Sequence, residues 1–409
     1  MDETTALDQQ SAPPLTGVRI VDLTSVIFGP LATATLANLG ADVIKVESLE
    51  GDIMRYAGAT RSPAMSTVFM NSNRGKRSIA MDLKSEAGQT ALKKLIATAD
   101  IFIHSMRHKA AERLSIAYND VRAIKNDVIY CFACGFGSGG PYQDLPAYDD
   151  VIQAASGLAS VAGAEGEPRL IRSIAADKIA GLYLTNALTT ALLQQKLTGQ
   201  GQYVEVPMME CLSHFVLTEH LAAASFDPPL DETEGHAGYE RVTTASRRAY
   251  KTKDSYMALL PYTTGHWQRF FKLIGRDDMA GADWIADASR RSKRVSELYD
   301  IIGEIAPTRT TAEWVEAIRA IDIPVSAVSS MDDLLTDPQL QASGLFEYYD
   351  HPTEGRLRGL ASPVRYSGFE TMPAAAPGLG ADTRAVLSEL NYSEDEIDAM
   401  AENDVIDGI

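Results

Sequence analysis

The first fifty residues alternate short strand-like runs with one helical run, and this alternation restricts the fold more than any other feature. Residues 18–22 and 42–47 are largely apolar runs typical of buried strands. Between them, residues 31–39 are rich in Ala and Leu, and Gly40 supplies a helix stop. Strands joined through a helix run parallel, so we predict a βαβ unit. The alternation recurs as far as residue 206, which predicts an α/β doubly wound core.

The composition changes after Ser225, where Asp227-Pro228-Pro229 and a polar, glycine-containing stretch are typical of a linker. A chain of 409 residues also predicts two or three domains. We therefore expect four segments: a flexible tail over residues 1–15, a large domain over 16–225, a linker and smaller α+β domain over 226–330, and a final segment over 331–409.

Charge and hydrophobicity exclude two classes of partner. The chain carries 55 acidic and 37 basic residues, a net charge of −18, which repels phosphate backbones, so no nucleic-acid partner is expected. No run approaches the roughly 18–20 apolar residues that span a membrane, so no membrane partner is expected. The N-terminus is polar and unlike a signal peptide, which makes the cytoplasm the expected compartment.

Two short motifs suggest a cofactor site and are better explained otherwise. Cys131 and Cys134 form a lone C-x-x-C in a strand-like run, which favours buried thiols over a metal or redox site. Residues 135–140 match G-x-G-x-x-G, but Pro141 and Pro146 follow where a dinucleotide site needs a helix. We therefore expect a glycine-rich turn near a ligand, with no metal and no nicotinamide cofactor.

Among the carboxylates, Asp177 stands out because its neighbours are small and apolar. Taken alone, that context favours a helix N-terminus over a catalytic group. The sequence Tyr148-Asp149-Asp150 is likewise typical of a helix start.

Basic residues are dense in two stretches of this acidic chain. They are Arg74, Lys76, Arg77, Arg107, Lys109 and Arg113. An anion-binding site and a set of solvated side chains explain this density equally well.

Several further motifs follow one another along nearly the whole chain. They occupy residues 15–23, Gly29-Pro30, and residues 39–47, 71–78, 135–137, 148–157, 198–202 and 322–324. In this order and spacing, they resemble the class III coenzyme A-transferase family, which includes formyl-CoA transferase and carnitine CoA-transferase. The resemblance implies a Rossmann-like large domain that binds CoA, a small domain, a return of the last residues to the large domain, and an interlocked homodimer.

The resemblance also implies that Asp177 is the catalytic nucleophile, which reverses the expectation from its context. In this family an aspartate attacks an acyl-CoA, forms a mixed anhydride, and then holds CoA as a thioester. The implied substrates are an acyl-CoA and a carboxylic acid, and CoA is the only implied cofactor-like group. The N–H groups of residues 26–29 and of the glycines after Cys134 are candidate donors to developing oxyanions.

Contacts with CoA are implied along the large domain. They are Val26, Ile27, Met70, Asn71, Arg74, Lys76, Arg77, Met106, Arg113, Gly135 and Tyr148. The chain departs from the family pattern at Ser48, at Ser105-Met106 and at His108-Lys109. Ser48 stands where an arginine is frequent in the family, and Lys109 is a candidate to bind a phosphate in its place.

Two other functions stay open at this point. α-Methylacyl-CoA racemases share the fold and the CoA site, but they use a histidine where this chain has Tyr148. A tyrosine, with an ordinary pKa of about 10, is a poor base at neutral pH. A CoA-binding protein without turnover is the second alternative, and the presence of Asp177 argues against it.

The acceptor acid has a weaker signature. Arginines recognise carboxylates well, because their guanidinium fork matches the two oxygens. The candidates for binding a second carboxylate are Arg169, Arg172, Arg247 and Arg248. They predict a dicarboxylic acceptor such as succinate.

Overall fold

The computed structural model describes residues 11–163, 166–228, 236–372 and 374–408. The chain divides into two compact units. Unit 1 contains the described residues up to Ala162, together with Leu170–Phe215 and Gln341–Ile409. Unit 2 contains Gly163–Arg169 and Val216–Leu340. Unit 1 is therefore discontinuous in sequence, because the chain leaves it and later returns.

The observed divisions lie about ten residues from the expected boundaries at 225 and 330. Residues 1–10 of the expected tail and residues 229–235 of the expected linker lie outside the described residues. The Ser11 amide and hydroxyl both donate to the Gly368 carbonyl at 2.9 Å, and the Leu15 amide donates to the Leu39 carbonyl at 3.0 Å. The described end of the tail is thus hydrogen-bonded to unit 1.

The strands are short, as expected for segments rich in β-branched residues between turns. In chain order they are β1 Arg19–Leu23, β2 Asp42–Glu47, β3 Arg77–Met81, β4 Ile101–His104, β5 Ile129–Cys134, β6 Gln202–Pro207, β7 Tyr250–Lys251, β8 Tyr256–Leu259, β9 Val325–Ala327, β10 Phe346–His351, β11 Gly355–Leu360 and β12 Ile406–Asp407.

Seven strands form the central sheet of unit 1, in the order β12-β3-β2-β1-β4-β5-β6. Strands β1 to β6 are parallel, and β12 pairs antiparallel with β3. The order 3-2-1-4-5-6 is that of doubly wound sheets, so the predicted mixed α/β fold with a mainly parallel sheet is confirmed. Strand order reverses between β1 and β4, which leaves a crevice at their carboxyl ends.

Helices connect and cover the strands. In chain order they are α1 Phe28–Asn38, α2 Thr67–Ser72, α3 Glu86–Ile96, α4 His108–Arg113, α5 Tyr118–Ile124, α6 Asp149–Ala155, α7 Leu158–Ala162, α8 Ala175–Thr198, α9 Met208–His220, α10 Glu240–Thr243, α11 Thr264–Leu273, α12 Asp277–Ala280, α13 Asp283–Ala286, α14 Ala288–Ser292, α15 Val295–Ile305, α16 Thr311–Arg319, α17 Met331–Leu334, α18 Pro338–Ala342, α19 Thr383–Glu389 and α20 Glu394–Glu402.

The core of unit 1 lies on the parallel sheet, whose central strands are buried along their length, as parallel sheets usually are. Leu92, Leu95 and Ile96 present the apolar face of α3 to this core. Val386 of α19 and Ile397 of α20 belong to the same core. The C-terminal helices are therefore part of the main body of unit 1.

The lone C-x-x-C lies in β5, as expected, with both thiols buried. Burial raises the pKa of both thiols well above the ordinary range, so they stay protonated and unreactive at neutral pH. Within the described ranges, no cluster of three or more His, Cys, Asp or Glu side chains is arranged to hold a metal ion. The described helices include none with the length and apolar content needed to span a bilayer.

Unit 2 has its own core. An antiparallel sheet, β7-β8-β9, supports amphipathic helices whose apolar faces meet around large aromatic side chains. The fully buried aromatics are Tyr250, Trp267, Phe270, Phe271, Tyr299 and Trp314. A two-stranded hairpin of β10 and β11 follows in the part of the chain that belongs to unit 1.

Candidate active site

A cavity of about 220 Å³ lies at the carboxyl ends of the parallel strands, at the point where the strand order reverses. Ligands of doubly wound folds bind in this crevice. Residues that follow β1, β4 and β5 line the cavity, together with the N-terminal ends of α6 and α8. The residues that line the cavity include Ser25, Val26, Phe28, Ser105, Arg107, Gly135, Tyr148 and Asp177.

Asp177 lies in the first turn of α8 and is only 6% exposed. Small residues make its position possible, because α8 packs closely against α1. A Cβ added to Gly181 would lie 3.3 Å from the carbonyl oxygen of Phe28, a tight contact that would require the neighbouring backbone to shift. The Phe28 backbone amide, at the start of α1, is close enough to the Asp177 carboxyl to stabilise its charged form. Asp177 therefore lies near the loop that follows β1.

Burial raises the pKa of Asp177, and the nearby Asp149 carboxylate raises it further. The Phe28 backbone amide acts in the opposite direction but its effect is weaker, so the pKa reaches about 7. Near neutral pH the group is therefore divided between acid and carboxylate forms. Strongly shifted pKa values in a cleft are typical of catalytic groups.

Asp149 is a site residue that the sequence interpretation treated only as a helix start. It begins α6, and its Oδ2 accepts a hydrogen bond from the Asp177 amide at 3.1 Å. Its Oδ1 accepts from Gln153 Nε2 at 2.5 Å, and Gln153 in turn accepts from the Ile171 amide at 2.8 Å. The buried Gln153 thus ties the Asp149 carboxylate to the segment that enters α8.

The loop after β1 is held in place by buried charges. Asp22 Oδ1 accepts from the Thr24 amide at 2.8 Å, and Lys45 Nζ donates to the Thr24 carbonyl at 2.8 Å. The Val26 amide donates to Asp52 Oδ1 at 3.3 Å, and Val26 has a φ of 72°, which β-branched residues rarely adopt. A strained residue of this kind persists only where its surroundings determine it, and such residues cluster at active sites.

Lys76, one of the predicted CoA contacts, belongs to the same network of buried ions. Its buried Nζ lies 3.0 Å from Asp22 Oδ2 and 2.7 Å from Asn73 Oδ1. Burial lowers the pKa of Lys76 to about 8, although attraction to Asp22 partly offsets this effect. The carboxylate of Asp22 compensates the charge of Lys76 inside the fold, so Lys76 is not available to bind a phosphate.

Two further predicted cations also have partners within unit 1. Arg77 pairs with Asp42 at 2.7 Å and with Glu389 at 2.6 Å. Arg74 is buried, pairs with Glu347, and donates to the Leu360 carbonyl at 2.8 Å. As placed, these arginines join the N-terminal part of the unit to its C-terminal segment.

The remaining predicted contacts are scattered. Val26, Gly135, Tyr148 and Asp177 meet in the cavity, and Tyr148 is exposed there. Ile27 caps α1 and is buried, and Met70 is buried in a small cluster with Phe69. Asn71, in α2, and Arg113, at the end of α4, are exposed.

Arg107 lines the cavity, whereas the sequence places it only among six cations that an anion site and solvation explain equally well. It follows β4 and lines the cavity with Asp177. The signal that identifies it is positional, since residues just after the carboxyl end of a strand at the switch point face the crevice.

The cavity continues into two neighbouring clefts along the same edge of the sheet. The first shares Ser25 and Ser105 with the cavity and has a volume of about 270 Å³. The second shares Ser48 and Met106 with the first and has a volume of about 470 Å³. We call the cavity and these clefts the edge groove. It contains three of the positions where the sequence departs from the family pattern.

The glycine-rich turn after β5 is occupied by side chains. The Gly137 amide donates to Glu210 at 2.9 Å, and the Ser138 amide donates to Glu205 at 2.7 Å. The Gly139 amide donates to Gln143 at 2.9 Å. These three N–H groups are therefore engaged and are not free to stabilise an oxyanion, whereas the Phe28 amide favours the charged form of Asp177.

The comparisons with known proteins agree with this geometry. The family model described as CoA-transferase family III matches residues 15–383. Human succinyl-CoA:glutarate CoA-transferase is 30% identical over 408 residues, covering 98% of this chain and 91% of the relative. Formyl-CoA:oxalate CoA-transferase of Escherichia coli O157:H7 is 30% identical over 419 residues, covering 96% and 99%.

A solved structure also matches nearly the whole chain. The CAIB/BAIF family protein from Brucella suis superimposes with a TM-score of 0.78 at 28% identity, covering 93% of this chain and 100% of the other. The chain therefore belongs to CoA-transferase family III and is an enzyme of that family.

Proposed function

We propose that this enzyme moves CoA from an acyl-CoA to a free carboxylic acid through covalent intermediates on Asp177. The observation that carries the proposal is the buried Asp177 carboxyl in the cavity at the switch point, near the backbone amide of Phe28. A carboxylate is a sufficient nucleophile toward a thioester when it is positioned and desolvated.

The exchange divides into four acyl transfers. A carboxylate oxygen of Asp177 attacks the thioester carbonyl, the CoA thiolate leaves, and a mixed anhydride forms. The thiolate then attacks the aspartyl carbonyl, which releases the donor acid and leaves an aspartyl-CoA thioester. The acceptor carboxylate attacks that carbonyl and expels the thiolate again. The thiolate finally attacks the acceptor's acyl carbonyl, which gives the new acyl-CoA and restores Asp177.

In two of these transfers, the oxyanion of the tetrahedral intermediate forms on the aspartyl carbonyl oxygen. The Phe28 amide stabilises the charged form of Asp177, so it is the candidate donor to that oxyanion. The loop that carries Phe28 is fixed by Asp22, Lys45 and Asp52. Gly29 allows this tight arrangement, because an added Cβ would lie 2.3 Å from Thr24 Cβ.

We propose that the extended CoA molecule binds in the edge groove. It joins the cavity at Asp177 to positions near Lys84 and Leu114. Phosphates need exposed cations, and Lys76 and Arg77 are already paired. Beyond Arg107, which lines the cavity, the exposed cations that follow β4 are Lys109 and Arg113. We assign the phosphate contacts to these two residues.

A dicarboxylic acid is the proposed acceptor. Two relatives carry names that specify glutarate and oxalate, both dicarboxylic acids. Arg107 supplies a guanidinium in the same cavity as Asp177, where it can bind the second carboxylate. Arg169, Arg172, Arg247 and Arg248 are exposed and remain candidates.

We also propose that two chains associate as an interlocked homodimer. Leu182, Leu193 and Leu197 of α8 are between 63% and 77% exposed, and large apolar groups at such exposure favour a protein interface. Sedimentation of the native protein is expected to give twice the chain mass. A folded species of 44.2 kDa at dilute concentration would contradict the dimer.

The racemase alternative has less support. None of the described residues that line the cavity is a histidine, and Tyr148 stands at the position where racemases carry one. The close pair of Asp149 and Asp177 is the one feature of the cavity that suits proton transfer. Measurement of α-proton exchange separates the two functions.

Trapping the covalent intermediate tests the proposal directly. The enzyme is incubated with succinyl-CoA without an acceptor and treated with borohydride, which reduces a thioester to an alcohol. Peptide mass spectrometry is expected to locate the reduced side chain at Asp177. Asp177→Asn is expected to give no such product, while Asp150→Asn, an exposed neighbour of the site, should give it at the normal yield. Turnover with no adduct at Asp177 would overturn the proposal.

A further inference from the structure

Unit 2 contains a small cavity that none of the assignments above uses. It has a volume of about 170 Å³ and lies among α10, α11, α14 and α15. Its lining includes Arg241, Tyr262, Trp267, Arg291 and Val295. Two guanidinium groups thus border one small space that aromatic and aliphatic side chains complete.

Arg291 is only 8% exposed, and part of its guanidinium is already bound. Its Nη1 donates to the Thr264 hydroxyl at 2.9 Å and to the Ile285 carbonyl at 2.5 Å. These bonds fix the side chain at the cavity wall. An arginine has five N–H donors, so donors remain for a ligand.

Arg241 is held differently. Its guanidinium carbon lies 4.3 Å from the centre of the Tyr262 ring, a cation–π contact that orients the side chain. Burial lowers the pKa of Arg291, and the positive charge of Arg241 lowers it further. The two cations therefore repel each other across the cavity.

This repulsion is not relieved by a close carboxylate. Among the described residues, neither Arg241 nor Arg291 forms an ion pair within 4.0 Å. Asp287 attracts Arg291 only from a longer range, and its Oδ1 accepts from the Ser289 and Arg290 amides at 2.9 and 3.0 Å. Among the described residues, this pair of cations is thus offset only at longer range, although the chain as a whole has a net charge of −18.

Helix α11 adds to the positive potential. It begins at Thr264, beside the cavity, and runs for ten residues. The N-terminus of a helix carries a partial positive charge that favours anions. Thr264 is also the residue whose hydroxyl accepts from Arg291.

We propose that this cavity binds the carboxylate group of a short organic acid, with both arginines on the oxygens and the acid's carbon chain against Trp267, Tyr262 and Val295. The volume is below the roughly 300–1,000 Å³ typical of drug-sized ligands, so a short acid fits better than a nucleotide. Binding here is independent of the proposed transfer reaction, because it needs no residue of unit 1.

Tryptophan fluorescence provides a selective measurement. The chain has three tryptophans, Trp267, Trp284 and Trp314, and all of them lie in unit 2. Titration of the full-length protein with succinate or glutarate is expected to change the fluorescence of Trp267 in a saturable way. Trp267→Phe should remove that signal, and succinamide, the neutral analogue, should give none.

Variants locate the binding. Arg241→Met is expected to weaken binding at least tenfold, and Arg291→Lys is expected to weaken it while preserving the charge. Arg290→Met is the matched control, because Arg290 is an exposed neighbour outside the cavity lining, and its affinity should be unchanged. Circular dichroism and the melting temperature verify that each variant is folded.

Three results would overturn the proposal. The first is the absence of a saturable signal, and the second is equal binding by the control and by folded Arg241→Met and Arg291→Lys. The third is equal competition by chloride, which would indicate a site for inorganic anions. Failure of transfer through Asp177 is measured separately, so the two proposals fail independently.

Discussion

Asp22 and Asp177 are both carboxyls buried beside the loop that follows β1, yet their surroundings make them opposites. Burial alone would raise the pKa of Asp22, but Lys76, Lys45 and two threonine hydroxyls outweigh it and lower the pKa to about 2. Around Asp177, burial and the Asp149 carboxylate both raise the pKa, which reaches about 7. Similar burial therefore leads to a permanent charge in one place and a titrating group in the other, and the neighbouring charges decide which.

The two carboxyls have different roles: Asp22 stabilises the fold, whereas Asp177 is the proposed catalytic group. Asp22 uses its oxygens to bind Thr24, Thr33 and Lys76, and it fixes the loop that carries Phe28. Asp177 keeps part of its hydrogen-bonding capacity free and faces the cavity. The ion network of Asp22 thus holds the loop beside Asp177, whose burial lowers the stability of the folded protein. Proteins commonly lose some stability in this way at functional sites.

Removing Asp177 is expected to have the largest effect on activity. Asp177→Ala removes the nucleophile, so transfer of CoA between acids should fall by about 10³-fold or more. The variant should remain folded, because Ile174 rather than Asp177 is the N-cap of α8. Steady-state transfer assays measure the loss, with Asp150→Asn as a control of normal activity. A folded Asp177→Ala protein that transfers CoA at near-normal rate would disprove the mechanism.

Disrupting the Asp22 side of the comparison should mainly affect stability. Lys76→Met leaves Asp22 buried without its closest cation, which costs about 3–5 kcal/mol. Lys93→Met, at an exposed position of α3, is the control and should change stability by less than about 0.5 kcal/mol. Denaturant unfolding compares the two variants. If Lys76→Met unfolds no earlier than the control, the network does not have the structural role given to it here.

Weakening the repulsion at Asp177 should shift the pH dependence. Only the ionised carboxyl attacks, so kcat/KM should rise as the pH passes about 7. Asp149→Asn removes the neighbouring charge, so the midpoint should move down by up to about one pH unit, equivalent to about 1.4 kcal/mol. Profiles of kcat/KM against pH measure the shift. A midpoint that stays in place or moves up would show that Asp149 does not set it.

The same carboxyl should make the protein less stable at high pH. Its folded pKa of about 7 lies above the unfolded value of 3.8, so the folded state holds its proton more tightly and loses this advantage as the pH rises between these values. Asp177→Asn removes that loss and should stabilise the protein by up to about 4 kcal/mol at pH 8, since each pKa unit corresponds to about 1.4 kcal/mol. The gain should be smallest near pH 4. Melting temperatures of both proteins at the two pH values test the sign.

Proton exchange at the substrate should show no effect. A racemase needs two groups that exchange a proton at the α-carbon, whereas a nucleophilic Asp177 needs none. We therefore expect no uptake of deuterium from D₂O into the α-position of 2-methylacyl-CoA on the timescale of CoA transfer. Rapid uptake that does not depend on an acceptor acid would favour the racemase function.

Periodicity is enough to predict the sheet, because strands buried on both faces must be continuous apolar runs. A different signal, the acidic side chain of Asp149, predicts the start of α6, since acidic residues favour the first turn of a helix. The contact between Asp149 and Asp177 is not predictable in this way, because the two residues are 28 positions apart in sequence and meet only in the folded chain. Periodicity reports which face of an element is buried, and says nothing about which side chains meet across elements.

The cations show the same limit more clearly. Lys76 and Arg77 have the composition of an anion site, but their carboxylate partners, Asp22 and Glu389, come from distant parts of the chain. The prediction that Asp177 is the nucleophile comes from the family resemblance, because its context alone indicates a helix start. The importance of Arg107 follows from the position of β4 beside β1, which only the sheet order reveals.

The return of the chain to unit 1 has a consequence for synthesis on the ribosome. Strand β12 covers the edge of β3, and helices α19 and α20 complete the core beneath it. Both arrive only after all of Val216–Leu340 has been made. Until then the nascent chain carries an open sheet edge and an uncovered apolar face, which are the features that draw chaperones and promote aggregation. The unit that holds Asp177 is therefore the last to be completed, although Asp177 itself is translated before any of Val216–Leu340.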